Sequence, residues 1–346
     1  MPFQIIRNDI TKVSADVIVN TANPYPVIGS GTDLAVYTAA GKEKLLAERI
    51  RIGGIAPGQA AVTPAFRLNA KYIVHTVGPA WVDGKHGERD ILRSCYVNSL
   101  RLAADLGAES IAFPLIATGN YGFPKEEALD IALAEIGRFL LTHDMHIILV
   151  VFDRSSFILS GLLVGQIDEY IDEYGVGQAR TAEYGEADQW HRLSRMERER
   201  QLRYVSSMEK AAKGNGGASA DGENKSLDEV LGEAGETFQQ RLFRLIDASG
   251  MDNVAVYKKA NIDRKVFSSI RRNVNYKPSK RTAVAFAIAL KLDMPEMLDL
   301  LARAGIAFAP GDKFDLIIMY FITHGVYDIF EINAALFKYG QPILGE

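Results

Sequence analysis

The feature that most restricts the fold is an abrupt change of character after Val19. A short apolar run, Val17 to Val19, gives way to NTANPYPVIGSGTD, and apolar residues then resume at helical spacing from Leu34, Val36 and Ala39. A buried strand, a polar glycine-bearing loop and a helix, in that order, form an α/β unit. Gly29 and Gly31 let the backbone approach a ligand with no Cβ in the way. Amide N–H groups leading into a helix N-terminus suit an anion such as phosphate. Asn20 and Asn23 are polar groups at the end of an apolar strand and need partners. Asp33 lies at the helix start, where negative charge is stabilised. The same residues also describe an ordinary capped loop, and this stretch alone leaves both readings open.

The pattern recurs. Strands are expected at Phe3–Arg7, Val17–Ala22, Gln59–Thr63, Tyr72–Val77, Ile111–Ile116 and Ile147–Phe152. Helical patterns at Asp33–Arg49, Arg89–Leu106, Lys125–Leu141 and Leu162–Glu173 intervene. That alternation predicts a mixed, largely parallel six-stranded sheet with helices on both faces. Ligands in such sheets bind beyond the carboxyl ends of the strands. A second glycine loop, Thr118-Gly119-Asn120-Tyr121-Gly122, also follows a strand, so the two loops can converge there.

Taken together, these segments resemble the macro domain family, proteins that bind ADP-ribose, and within it the MacroD-type ADP-ribosyl hydrolases. The resemblance covers residues 1 to about 176 and rests on Asn20, Asn23, Gly29, Gly31 and Asp33, on the second glycine loop, on KYIVHTVGP and on CYVNSLRLAADLGAESIAFP. It implies a function: hydrolysis of ADP-ribosyl links, on a modified protein or as deacetylation of O-acetyl-ADP-ribose, by a water that Asp33 positions. Asn20 and Asn23 would hold the terminal ribose. Gly29, Ser30, Gly31, Thr118, Gly119, Asn120 and Gly122 would cradle the diphosphate, and Tyr121 would lie over the ribose. Asp9 and Ile10 would meet the adenine edge and Phe152 its face. The alternative is a non-catalytic ADP-ribose sensor controlling the helical half. The chain departs from the family run Gly-Gly-Gly-Val-Asp-Gly, reading Gly29-Ser30-Gly31-Thr32-Asp33-Leu34, and Tyr37 stands where an imidazole is common.

Each residue also has a plainer reading. Asp9 suits a turn cap, Asp33 a helix cap, Phe152 a core position and Cys95 a small buried apolar site. His143 and His146 are three apart with no further ligand nearby, so no metal is expected, and no cofactor. One cysteine in 346 residues forbids an internal disulfide, which suits a reducing cytoplasm. A net charge of −4, no basic leader and no long apolar run argue against a membrane partner.

Residues 188–213 are dense in charge and read as an exposed helix, while 214–226 have a linker composition. Three regions follow: 1–176, 177–236 and an all-α region 237–346 of about six or seven helices. Residues 254–306 of that last region resemble the helix-turn-helix domain of phage-repressor-like regulators, with the turn at Asn261-Ile262-Asp263. Residues 255–281 hold nine lysines and arginines against Asp263 alone. That implies contact with duplex DNA through Arg264, Lys265, Ser268, Arg271 and Arg272. The rival expectation is a surface for a partner protein.

Overall fold

The computed structural model describes residues 2–152, 159, 163–172, 235–309 and 311–345. The charged helix 188–213 and the linker 214–226 expected from the sequence lie outside the described residues. The strands are β1 Phe3–Arg7, β2 Val17–Thr21, β3 Ala60–Pro64, β4 Tyr72–Thr76, β5 Ser110–Pro114 and β6 His146–Val151, in the spatial order β1-β6-β5-β2-β4-β3. All neighbours are parallel except β3 and β4. The sheet is thus mixed and six-stranded, as expected.

Side chains alternate between its faces. Val17, Val19, Ile111, Phe113, Ile147 and Leu149 enter a core beneath α3 Glu88–Asp105 and α4 Lys125–Leu140. Ile18, Ile73, Ala112, Ile148 and Val150 enter the opposite core, with Val36, Tyr37 and Leu45. Those three come from two helices, α1 Thr32–Ala40 and α2 Lys42–Ile52. The single helix Asp33–Arg49 expected from periodicity is divided at Gly41, whose φ of 107° no helix accommodates. Residues 163–172 form α5.

The C-terminal half is helical: α6 Phe238–Ser249, α7 Asn253–Lys259, α8 Arg264–Arg272, α9 Lys280–Ala289, α10 Met294–Arg303, α11 Lys313–Thr323 and α12 Ile329–Lys338. Thr237, Asp252, Asp263, Ser279, Asp293, Asp312 and Asp328 cap the starts of these helices through their side chains. This half is packed directly on the edge strand β1 and on α4, and one apolar core runs through both halves. The Phe330 ring meets Phe3 edge-on at 5.3 Å and lies over Gly137 in the middle of α4. The buried Asn261 carboxamide accepts from Phe3 N–H at 2.8 Å and donates to Phe3 O at 3.1 Å, pairing with β1 as a further strand would.

Candidate active site

Both glycine loops lie at the carboxyl ends of their strands and face each other across a cleft of about 380 Å³. Asn23, Gly29, Ser30, Gly31, Asp33, Thr118, Gly119, Asn120, Tyr121 and Phe152, all candidates from the sequence, line it. Asn120 Nδ2 donates to Ser30 Oγ, so the side chain that departs from an all-glycine run is turned onto the opposite loop. Phe152 is 74% exposed at the mouth, an open aromatic face rather than a core residue. Tyr121 is half-buried.

Other candidates are engaged within the protein. Asp9 accepts from Thr11 N–H at 3.0 Å and Thr11 Oγ1 at 2.8 Å, capping a short 3-10 turn next to Asn8, whose N–H bonds Val151 O at the cleft, and Ile10 is buried in the core. Gly122 closes the second loop through its N–H to Gly119 O at 2.9 Å. Asn20 is fully buried behind Asp33.

Asp33 does not cap its helix. The N-cap is Gly31, and no side chain bonds there. The Asp33 carboxylate instead reaches back into the loop. Oδ2 accepts from Gly29 N–H at 2.6 Å, and Oδ1 accepts from Asn20 Nδ2 at 2.6 Å. A Cβ on Gly29 would lie 2.7 Å from Asn23 Nδ2 and 3.2 Å from Asp33 Oδ2, so any larger residue there would displace the Asn23 side chain. Asp33 is 3% exposed. Burial raises its pKa above the usual 3.8, against the pull of the Asn20 and Gly29 hydrogen bonds and the Arg49 charge.

Three groups stand behind the cleft, and the sequence marked out Tyr37 alone among them. Arg49 is 1% exposed, donating to Gly53 O at 3.2 Å and Asn23 O at 3.3 Å. It thereby ties α2 to the first loop. Tyr37, noted in the sequence as a departure where an imidazole is common, is buried and sets its hydroxyl against that guanidinium. His75 lies between Asn20 Nδ2, 3.2 Å from Nδ1, and Thr63 Oγ1, 2.9 Å from Nε2. Lys125, the first residue of α4, also lines the cleft. Its place directly after the second loop was the one signal that pointed to it.

Cys95 is buried with its Sγ–H directed at Val77 O, and burial pushes its thiol up to about 11, so it is a packing residue. Asp83, His86 and Glu88 lie close enough to share an ion. However, the Glu88 carboxylate already accepts from the N–H groups of Val82, Asp83, Gly84 and His86, and holds a turn. Among the described residues no helix is long and apolar enough to cross a membrane.

The macro domain family profile matches residues 19–132. The chain is 42% identical over 170 residues to an O-acetyl-ADP-ribose deacetylase of Cronobacter sakazakii, covering 48% of this chain and 94% of the relative. It is 43% identical over 155 residues to a macro domain-containing protein of Methanosarcina mazei, covering 44% and 82%. The Trypanosoma brucei macrodomain in complex with ADP-ribose is 35% identical at a TM-score of 0.42, covering 45% of this chain and 66% of that one. The half shared with these relatives contains both loops and the buried aspartate, and the chain belongs to the macro domain family.

Proposed function

We propose that the cleft binds ADP-ribose and that the protein is an ADP-ribosyl hydrolase. Its substrates are O-acetyl-ADP-ribose or mono-ADP-ribosylated protein, and the attacking water is held by Asp33. The observation that carries this reading is the Asp33 carboxylate. It is anchored by one hydrogen bond on each oxygen and sits at the cleft wall between two glycine loops. The names of the bacterial relatives support the same activity. The loop amides suit the diphosphate, the open Phe152 ring suits the adenine face, and the Asn23–Asp33 end suits the terminal ribose. At an acetyl ester, water adds to the carbonyl carbon and the ester C–O bond breaks. The ribose hydroxyl leaves with a proton, and acetate and ADP-ribose are released. A carboxylate held rigidly against that water acts mainly by placing it and accepting its proton.

The test is Asp33→Ala. ADP-ribose affinity by calorimetry should stay within about tenfold, while O-acetyl-ADP-ribose turnover falls by about 100-fold or more. Unchanged turnover would remove Asp33 from the chemistry, and no heat with ADP-ribose at millimolar concentration would remove the site.

A second reading concerns the helical half. Arg264, Lys265, Arg271 and Arg272 are all exposed on one side of α8, with Ser268 and Ser269 between them and Phe267 and Ile270 buried opposite. That face suits the phosphate backbone of duplex DNA. The basic excess is smaller than the sequence suggests, because Lys258 pairs with Asp144 at 3.0 Å and Lys280 with Asp315 at 2.6 Å. Arg271→Ala/Arg272→Ala should weaken duplex binding and reduce its salt slope by about two. A wild type with no salt-sensitive duplex binding leaves this face to a partner protein.

A further inference from the structure

Asn20 and His75 stand directly opposite one another in the parallel register of β2 and β4, and neither is exposed. Thr63 lies on β3, two residues along from Ala61, the antiparallel partner of His75. The sheet itself therefore brings Asn20, His75 and Thr63 into one line. Their hydrogens can be assigned. A carboxylate only accepts, so the group of Asn20 that faces Asp33 Oδ1 at 2.6 Å is the amide nitrogen. The second hydrogen of that nitrogen is directed at His75 Nδ1, 3.2 Å away. Nδ1 must then be the acceptor, which places the imidazole proton on Nε2, from where it is donated to Thr63 Oγ1 at 2.9 Å. One hydrogen bond would leave the amide free to turn about its last torsion, which is broad and nearly two-fold. Two bonds to two fixed acceptors hold its plane. Asn20 Oδ1 is buried and has no hydrogen-bond partner among the described residues.

We propose that His75 is a positioning residue for hydrolysis, fixing the Asn20 carboxamide so that its Nδ2 holds the Asp33 carboxylate in place. The proposal rests on the ADP-ribosyl hydrolase reading above. Burial and the Arg49 charge bring the imidazole down to about 3, so Nδ1 remains an acceptor at any physiological pH. A cation there would set N–H against N–H and turn the amide over, removing the Asp33 bond.

The full-length protein supplies the test. His75→Asn keeps an amide near the Nδ1 position, whereas His75→Gln carries it toward Nε2, within reach of Thr63 but away from Asn20. With O-acetyl-ADP-ribose, the Asn variant should keep kcat within about threefold of wild type. The Gln variant should lose about tenfold or more in kcat, with KM changed by less than about threefold. Equal kcat in the two variants, whether preserved or lost, overturns the proposal, because a packing role does not distinguish the two nitrogens. Nitrogen-15 NMR of the wild-type imidazole should show the Nε2–H tautomer with and without ADP-ribose; an Nδ1–H tautomer or an imidazolium near neutral pH overturns it. A wild type that binds but does not turn over substrate refutes the hydrolase reading instead, and the tautomer measurement still decides the geometry.

Discussion

Asp33 shows how one residue supports two readings in sequence and one in space. A carboxylate in the first turn of a helix is ordinarily stabilised by the helix dipole. Here it is withdrawn from solvent and engaged by a loop amide and a neighbouring carboxamide. Because burial favours the neutral form, the folded-state pKa exceeds the unfolded value of 3.8. Folding therefore becomes less favourable as pH rises from 3.8 through the raised value, since a buried group must ionise. The wild-type contribution of Asp33 should accordingly be most favourable below 3.8 and decline as pH rises through the raised value, as thermal melts across pH against Asp33→Ala will show. Wild-type kcat/KM should lose its acid limb at a pH above 3.8, because the ionised form is the one that takes the proton.

Among the elements, the strand-to-helix loops have the tightest tolerances. In the second loop Ala117 adopts a φ of 64°, in the left-handed region. Phe123 N–H to Ala117 O at 3.1 Å and Trp81 N–H to Tyr121 O at 2.8 Å hold the loop in that shape. Gly78, beyond the end of β4, passes so close that an added Cβ would meet Ala117 Cβ at 2.9 Å and Ile116 Cγ2 at 3.1 Å. Gly78→Ala is expected to cost about 1–3 kcal/mol by overpacking. It should also weaken ADP-ribose binding, because the loop, not the sheet, gives way. Urea unfolding and calorimetry on the same sample measure both effects. The clamp on α3 is electrostatic by contrast. Burial alone would raise the Glu88 carboxyl, but the surrounding backbone N–H groups hold it near 2.

For the molecule as a whole, the helical half and the sheet share a core. An edge strand such as β1 exposes unpaired backbone groups. Asn261 covers them, held at a φ of 54° so that its carboxamide meets both Phe3 N and Phe3 O, and it also donates to Leu344 O at 3.1 Å. Around this point Tyr320 bonds Gln166, and Tyr339 bonds Asp168. Asn261→Gly keeps the backbone conformation while leaving two buried groups of β1 unpaired. Its expected cost is about 2–4 kcal/mol, with faster hydrogen exchange at Phe3 than in wild type. Exchange at Phe3 unchanged by the substitution would show that the carboxamide does not seal the edge.

By itself the sequence determined the sheet, the two loops and the capped helices, because these follow from local signals. Apolar runs alternate with 3.6-residue periodicity, glycines mark both loops, and Asp, Ser or Thr precedes each C-terminal helix. It also singled out Asn20, Asn23 and Asp33, since polar residues where an apolar strand ends need partners, although the stretch alone fitted a capped loop as well. Tertiary structure alone decided that Asp9 caps a short turn, and that Arg49, Tyr37 and His75 stand behind Asp33. The same holds for the docking of Asn261 on Phe3, 258 positions away in the chain. No local pattern in the sequence marks these residues out for those roles. What distinguishes each is the partner it meets in the interior, and strand register and helix packing choose that partner.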